Sequence, residues 1–304
     1  MTPVDPVAGE PAAEPRVPLV LLATSRDWPE GEPGHEALDA ALEAQGLAAR
    51  WVRWDDPDVD WRAAELVAVR STWDYDARLE EFLAWAARVG PALLNGAAVF
   101  RWNTDKRYLL DLDLAGVPVV PTVPAETPAG VVAAIADLGA DPGAAVVKPR
   151  VGAGGRGLSV VPAGGSWQPG SEAHRGPWVV QPLVESIRDE GETSVFVLDG
   201  RPVSQVRKVP AAGEVRVHEW YGGSSRPVPL TDEAAGTATR AVAAVAELLD
   251  ADIAYARVDL VRVDGRLVVG EVELTEPGLY LDVLPANGPA FAAAVAARAL
   301  PRTW

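Results

Sequence analysis

Apolar residues recur along the first hundred positions in two rhythms. Residues 18–24 (PLVLLAT), 50–54 and 65–70 (ELVAVR) are short apolar runs that read as buried strands. Between them, residues 34–45 place Leu38 and Leu42 on one helical face, and Gly46 stands where such a helix ends. Residues 77–89 do the same with Leu79, Phe82, Leu83 and Ala86. Strands alternating with helices predict a parallel sheet. Ligands of such sheets bind beyond the carboxyl ends of the strands. That rim carries Ser25, Arg26 and Asp27 after the first strand and residues 70–75 (RSTWDY) after the third.

After residue 102 the pattern changes. Residues 103–115 (NTDKRYLLDLDLA) predict a helix capped by Asn103 or Thr104, and residues 127–138 a second, with Thr127 as cap and Pro128 in its first turn. Residues 144–161 alternate as strands around a glycine loop. Further strands are expected at 177–182, 194–198 and 202–209, the last two joined through Asp199-Gly200, a hairpin dipeptide. A long Ala-rich helix at 231–249 precedes a second hairpin, 254–263 with 266–272, turning at Asp264-Gly265. A final helix covers 287–299. The expected fold is a parallel α/β unit followed by an α+β region with antiparallel sheets.

Composition narrows the chemistry. The formal net charge of -16 repels a nucleic acid or an anionic membrane at long range. The absence of cysteine removes disulfides, thiolate metal sites and a Cys nucleophile. His35, His174 and His218 have no ligand spacing between them. The first 16 residues, acidic and rich in Pro and Ala, lack the basic and apolar regions of a signal peptide and read as a disordered lead. No apolar stretch approaches the ~20 residues that span a bilayer, so the expected location is the cytoplasm.

Four features carry chemistry. Residues 146–157 (VVKPRVGAGGRG) formally match G-x-G-x-x-G through Gly152, Gly154 and Gly157. A dinucleotide site needs a helix to follow, and a Walker loop needs Lys-Ser/Thr; here Leu158 opens a strand. Two readings stand: an ordinary glycine hairpin, or a loop whose N–H groups fold over phosphates while Lys148 points at them. Next, Glu271 and Glu273 share one strand face, and the hairpin can bring Asp259 to them. Three acids on an apolar sheet repel one another, a cost that a divalent cation removes; scattered solvated acids are the alternative. Lys106, Lys148, Arg207, Lys208 and Arg216 are basic residues in an acidic chain, suited to a triphosphate in combination. Finally, residues 179–185 (VVQPLVE) form an apolar strand stopped by Pro182, either a plain edge strand or a backbone edge for a base.

The order of these pieces resembles the ATP-grasp ligases, in particular glutathione synthetase and the ligases that add glutamate to ribosomal protein, over nearly all of residues 103–278. The resemblance implies a three-part architecture with a nucleotide between two antiparallel sheets. Its expected units are an N-terminal one at 17–102, a central lid at 103–185 and a C-terminal unit at 186–304. It implies that Lys106 and Lys148 contact phosphates beneath Gly152, Gly154, Gly155 and Gly157. Gln181, Pro182, Leu183 and Val184 would flank adenine, with Glu185 or Glu192 at the ribose and Arg207 and Lys208 nearby. Asp259, Glu271 and Glu273 would hold magnesium, as two ions. Many members have Glu-x-Asn where this chain has Glu271-Val272-Glu273, and the second carboxylate should strengthen cation binding. Arg216 would stabilise the transferring phosphoryl group, making Arg216 and Lys148 the catalytic pair.

Residues 70–75, 101–106 and 271–277 are most similar to one branch, which includes the cyclo-ligase that closes O-ureido-serine. The implied reaction activates a carboxylate of a small amino-acid-like substrate as an acyl phosphate, which a nitrogen nucleophile then captures. Arg70, Trp73, Tyr75 and Arg257 are candidates for substrate contact; alternatively Arg70 pairs with Asp74 and Trp73 packs in a seam between units. Intermolecular amino-acid or peptide ligation is the competing reading. A non-catalytic nucleotide-binding module is disfavoured by Lys148, Arg216 and Glu271. Self-association is left open.

Overall fold

The computed structural model describes residues 16–138, 143–170 and 176–300. The expected lead, except Arg16, and His174 lie outside them.

The first sheet is parallel, ordered β2-β1-β3, from β1 (Leu19–Thr24), β2 (Ala48–Arg53) and β3 (Leu66–Ser71). Helices α1 (Glu36–Ala44) and α2 (Leu79–Val89) complete this unit. A short helix, α3 (Gly96–Asn103), follows, and then α4 (Tyr108–Leu114).

Here the structure corrects the reading. Asn103 and Thr104 do not cap a helix start; Asn103 ends α3, and the next helix begins at Tyr108. The Asn103 side chain instead joins distant backbone, donating to the Val272 carbonyl (2.7 Å) and accepting from the Leu274 N–H (2.8 Å).

The central sheet, ordered β4-β7-β5-β6, is antiparallel: β4 (Val123–Ala125), β5 (Ala145–Pro149), β6 (Ser159–Val161) and β7 (Trp178–Pro182). Helix α5 (Pro128–Asp137) covers it through Val131 and Ala134, with the Thr127 hydroxyl accepting from the Gly130 N–H as a cap. A single turn, α6 (Ser186–Asp189), leads to the third sheet, also antiparallel, ordered β10-β9-β8-β11-β12. Its strands are β8 (Glu192–Leu198), β9 (Arg201–Val209), β10 (Ser224–Val228), β11 (Tyr255–Val263) and β12 (Arg266–Glu273). Both expected hairpins form: Asp199-Gly200 and Asp264-Gly265 all have positive φ, as a two-residue turn of this hand requires. Helix α7 (Asp232–Leu249) packs on this sheet, and α8 (Asn287–Ala299) lies against α1 and β3.

Two contacts lock the units together. Val99, Tyr108, Leu109 and Leu112, ahead of the central sheet, are buried with β8, β11, β12 and α7. Asn95, at φ 63, bonds the Tyr255 and Leu274 carbonyls and the Ala254 N–H, each at 2.8 Å.

Candidate active site

The two antiparallel sheets and the rim of the parallel one enclose a chamber of about 520 Å³. Strand alternation decides which polar residues face it. On the third sheet, Glu192 stands opposite Lys208, and Asp259 lies between Ser194 and Glu271. Arg257 stands opposite Glu273. All except Ser194 line the chamber. Arg207, one residue from Lys208, faces the other way: its guanidinium bonds the Glu190 and Asp189 carbonyls and does not line the chamber. Glu185 is likewise turned out and paired with Arg188, whereas Glu192 lines the chamber.

The central sheet contributes Lys148 from β5 and Gln181 and Pro182 from β7, with Leu183 and Val184 after them. The Lys148 ammonium makes no hydrogen bond or ion pair among the described residues, and burial lowers its pKa. An incoming anion would favour the charged form. The Gln181 amide donates one N–H to Thr122 Oγ (2.9 Å), and the Leu183 N–H is taken by the Ala144 carbonyl (2.7 Å). Lys106 donates to the Gly152 carbonyl (2.8 Å) and pairs with Glu271 (2.9 Å). Burial pulls its pKa down, but Glu271 and Glu273 outweigh this and leave it raised.

Gly152, Gly154 and Gly155 line the chamber; Gly154, Gly155 and Gly157 have positive φ, a backbone open to glycine at little cost. A Cβ on Gly154 would meet Trp220 at 3.0 Å and one on Gly155 would meet Arg216 at 3.4 Å. The Arg216 guanidinium bonds Glu214 (2.5 Å) and stacks 3.6 Å over Tyr221. Arg156, which sequence reasoning passed over, ties this loop to the N-terminal unit: it bonds Asp76 (2.7 Å) and the Trp73 carbonyl (3.1 Å).

The expected metal triad is not assembled. Among the described residues no group of three or more His, Asp or Glu side chains is placed to hold a metal ion. Asp259, Glu271 and Glu273 share a face, but cations stand between them. Arg257 bonds Asp259 (2.9 Å) and Glu273 (2.5 Å), Lys208 reaches Asp259 (3.1 Å), and Lys106 holds Glu271. Burial would raise the Asp259 pKa, yet Arg257 and Lys208 keep it far below the usual carboxylate range. Glu273 is pushed up to about 7, by burial first and by Asp259 and Glu271 against the pull of Arg257.

Of the substrate candidates, Arg70 is taken out by its burial. Its guanidinium, 0% exposed, bonds Glu32 (2.6 Å) and the Pro277 carbonyl (2.7 Å). It does not pair with Asp74, which accepts from Trp54. Trp73 is both a seam residue and a wall: its indole N–H bonds the Glu276 carbonyl (3.1 Å) while the ring lines the chamber beside Tyr75 and Arg257. Trp28, Glu276 and Tyr280 also line it and were not singled out from the sequence. Burial, then Glu273, lift the Glu276 pKa to about 8.

Opposed antiparallel sheets, an unpaired lysine, a glycine loop and paired acids define a class, and the comparisons with known proteins agree with it. The family model of the prokaryotic glutathione synthetase ATP-grasp domain matches residues 120–284, and the chain belongs to the ATP-grasp ligases. The family model of the D-cycloserine synthetase N-terminal domain matches residues 20–95. The chain is 35% identical over 277 residues to the cycloserine biosynthesis protein DcsG of Streptomyces lavendulae, covering 86% of this chain and 92% of that protein. A crystal structure of D-cycloserine synthetase DcsG superposes with a TM-score of 0.81 at 30% identity, covering 93% of this chain and 100% of that one. Glutathione synthetase of Ralstonia nicotianae is 26% identical over 289 residues, 89% of this chain and 75% of that protein. The protein is an ATP-dependent ligase of the kind that forms C–N bonds.

Proposed function

We propose that the protein activates the carboxylate of a small amino-acid-like molecule with ATP and closes it on a nitrogen of the same molecule, as in O-ureido-serine cyclisation. The observation that carries this reading is the match to a cycloserine biosynthesis protein across 92% of its length, N-terminal unit included. That unit supplies Trp28, Trp73 and Tyr75 to the chamber, so it acts on the part of the site that a nucleotide does not fill. A chamber of about 520 Å³ that also takes the nucleotide has room for a small acid, and the role would be in antibiotic biosynthesis.

In this reading Lys148 and Arg216 face the phosphates, the latter beneath Gly155. A carboxylate oxygen attacks the γ-phosphorus and ADP leaves. The nitrogen then attacks the acyl carbon and phosphate leaves. The chain needs no nucleophile of its own; it positions the reactants and balances charge. Arg257 stands where the acyl end would lie. Most acids and cations of the chamber, Lys148 and Glu276 excepted, already pair with one another, so a triphosphate brings more negative charge than the unpaired Lys148 answers. Asp259, Glu271 and Glu273 offer the oxygen donors that magnesium prefers, and we assign them to two ions once nucleotide is present. Such ions would neutralise phosphate charge.

Feeding candidate acids singly and in pairs while measuring ADP release tests the reading. ADP release with O-ureido-D-serine alone supports cyclisation. A requirement for a second amine would replace it with intermolecular ligation.

A further inference from the structure

Most buried acids of the chamber have a cation or donor from the chain itself. Glu32 has Arg70 and the Leu279 N–H, Glu192 has Lys208, Glu271 has Lys106 and Glu273 has Arg257. Glu276 differs. It is 6% exposed, it lines the chamber, and its carboxylate makes no hydrogen bond or ion pair among the described residues. A buried acid without a partner is costly, and such groups gather where a ligand supplies the partner.

The backbone around it is pinned. The Thr275 carbonyl accepts from the Tyr255 hydroxyl (3.2 Å), the Glu276 carbonyl from Trp73 (3.1 Å) and the Pro277 carbonyl from Arg70 (2.7 Å). The carboxylate therefore keeps its place before any ligand arrives. Aromatic rings share this end of the chamber. Trp28 meets Trp73 edge to face at 5.3 Å, and Tyr75 is close enough for Glu276 to raise the pKa of its hydroxyl. Gly278 separates this corner from Arg257; a Cβ there would stand 3.4 Å from Trp73 and 3.9 Å from the Arg257 guanidinium. An acid beside ring faces suits an organic ammonium group. It does not suit magnesium, which requires several oxygens.

We propose that Glu276, walled by Trp28, Trp73 and Tyr75, is the subsite for the α-ammonium group of the substrate, with the substrate carboxylate directed past Gly278 toward Arg257. This rests on the reading that the chamber takes a small amino acid for activation.

The test is calorimetric binding, in the presence of Mg-ADP, of two matched pairs to the wild type and to Glu276→Gln. One pair is O-ureido-D-serine and 3-(ureidooxy)propanoate; the other is D-alanine and propanoate. The wild type should prefer the ammonium-bearing member of at least one pair. Glu276→Gln should weaken that member about 30-fold, leave its deamino partner within about 2-fold, and melt no lower than wild type. Equal weakening of both members, or no preference in the wild type for either pair, overturns the subsite. Glu276-dependent preference for D-alanine without binding of O-ureido-D-serine keeps the subsite and rejects the O-ureido-serine reading.

Discussion

Lys148 shows most clearly how a single side chain is prepared for chemistry here. It is a buried ammonium with no partner among the described residues and a lowered pKa, poised for an anion that the chain does not supply. Lys148→Ala, and Glu271→Gln on the opposite sheet, should each lower kcat/KM by about 10²–10³ without unfolding the protein. ADP-release kinetics alongside circular dichroism check this, and wild-type turnover in either variant would contradict it. That Lys148, Asp259 and Glu271 line one chamber was legible because strand alternation and motif order pointed the same way. The same alternation turns Arg207 away from the chamber, since its neighbour Lys208 takes the inward position. Glu276 had no spacing signal at all. Its importance comes from what surrounds it in space, and Trp73 lies 203 residues away.

Among elements, the glycine loop bears most directly on the proposed mechanism. Three positive-φ glycines let it fold between Trp220, Arg216 and the N-terminal unit, and the Arg156–Asp76 pair holds it there. In the proposed mechanism that closure keeps water from the acyl phosphate. Arg156→Ala and Asp76→Asn should both raise the ratio of ADP formed to product formed, measured by chromatography of the same reaction. A ratio unchanged from wild type in both would mean that the pair does not guard the site. Element existence was largely readable, because Thr caps and Asp-Gly turns are local chemistry. Four of the named helices and strands escaped: α3, β4, the single turn α6 and β10. The strand β10 (SSRPV) is polar and contains Pro227, so it carries no apolar alternation. The helix α3 hid because Asn103 looks like a cap, whereas its amide binds β12 backbone 169 residues on.

For the whole molecule, the parallel unit is joined to the third sheet through buried polar contacts that also shape the chamber. Arg70, read as a substrate ligand, belongs to this joint with Glu32 and the Pro277 carbonyl. Sequence order could not show that, because Glu32 is 38 residues and Pro277 is 207 residues from it. Arg70→Met strands a buried carboxylate and should destabilise the protein by ~3–5 kcal/mol, with Arg70→Met/Glu32→Gln recovering a large part. Denaturant melts of the three proteins check this; equal stability of Arg70→Met and wild type would contradict it.

The central claim, that ATP activates a substrate carboxylate, has a direct test. O-ureido-D-serine labelled with ¹⁸O in its carboxylate is incubated with the protein, ATP and magnesium, and the released phosphate is analysed by mass spectrometry. Transfer of one labelled oxygen to each phosphate is the predicted result, since the carboxylate oxygen that attacks phosphorus leaves with it. ATP turnover that yields unlabelled phosphate would contradict the account.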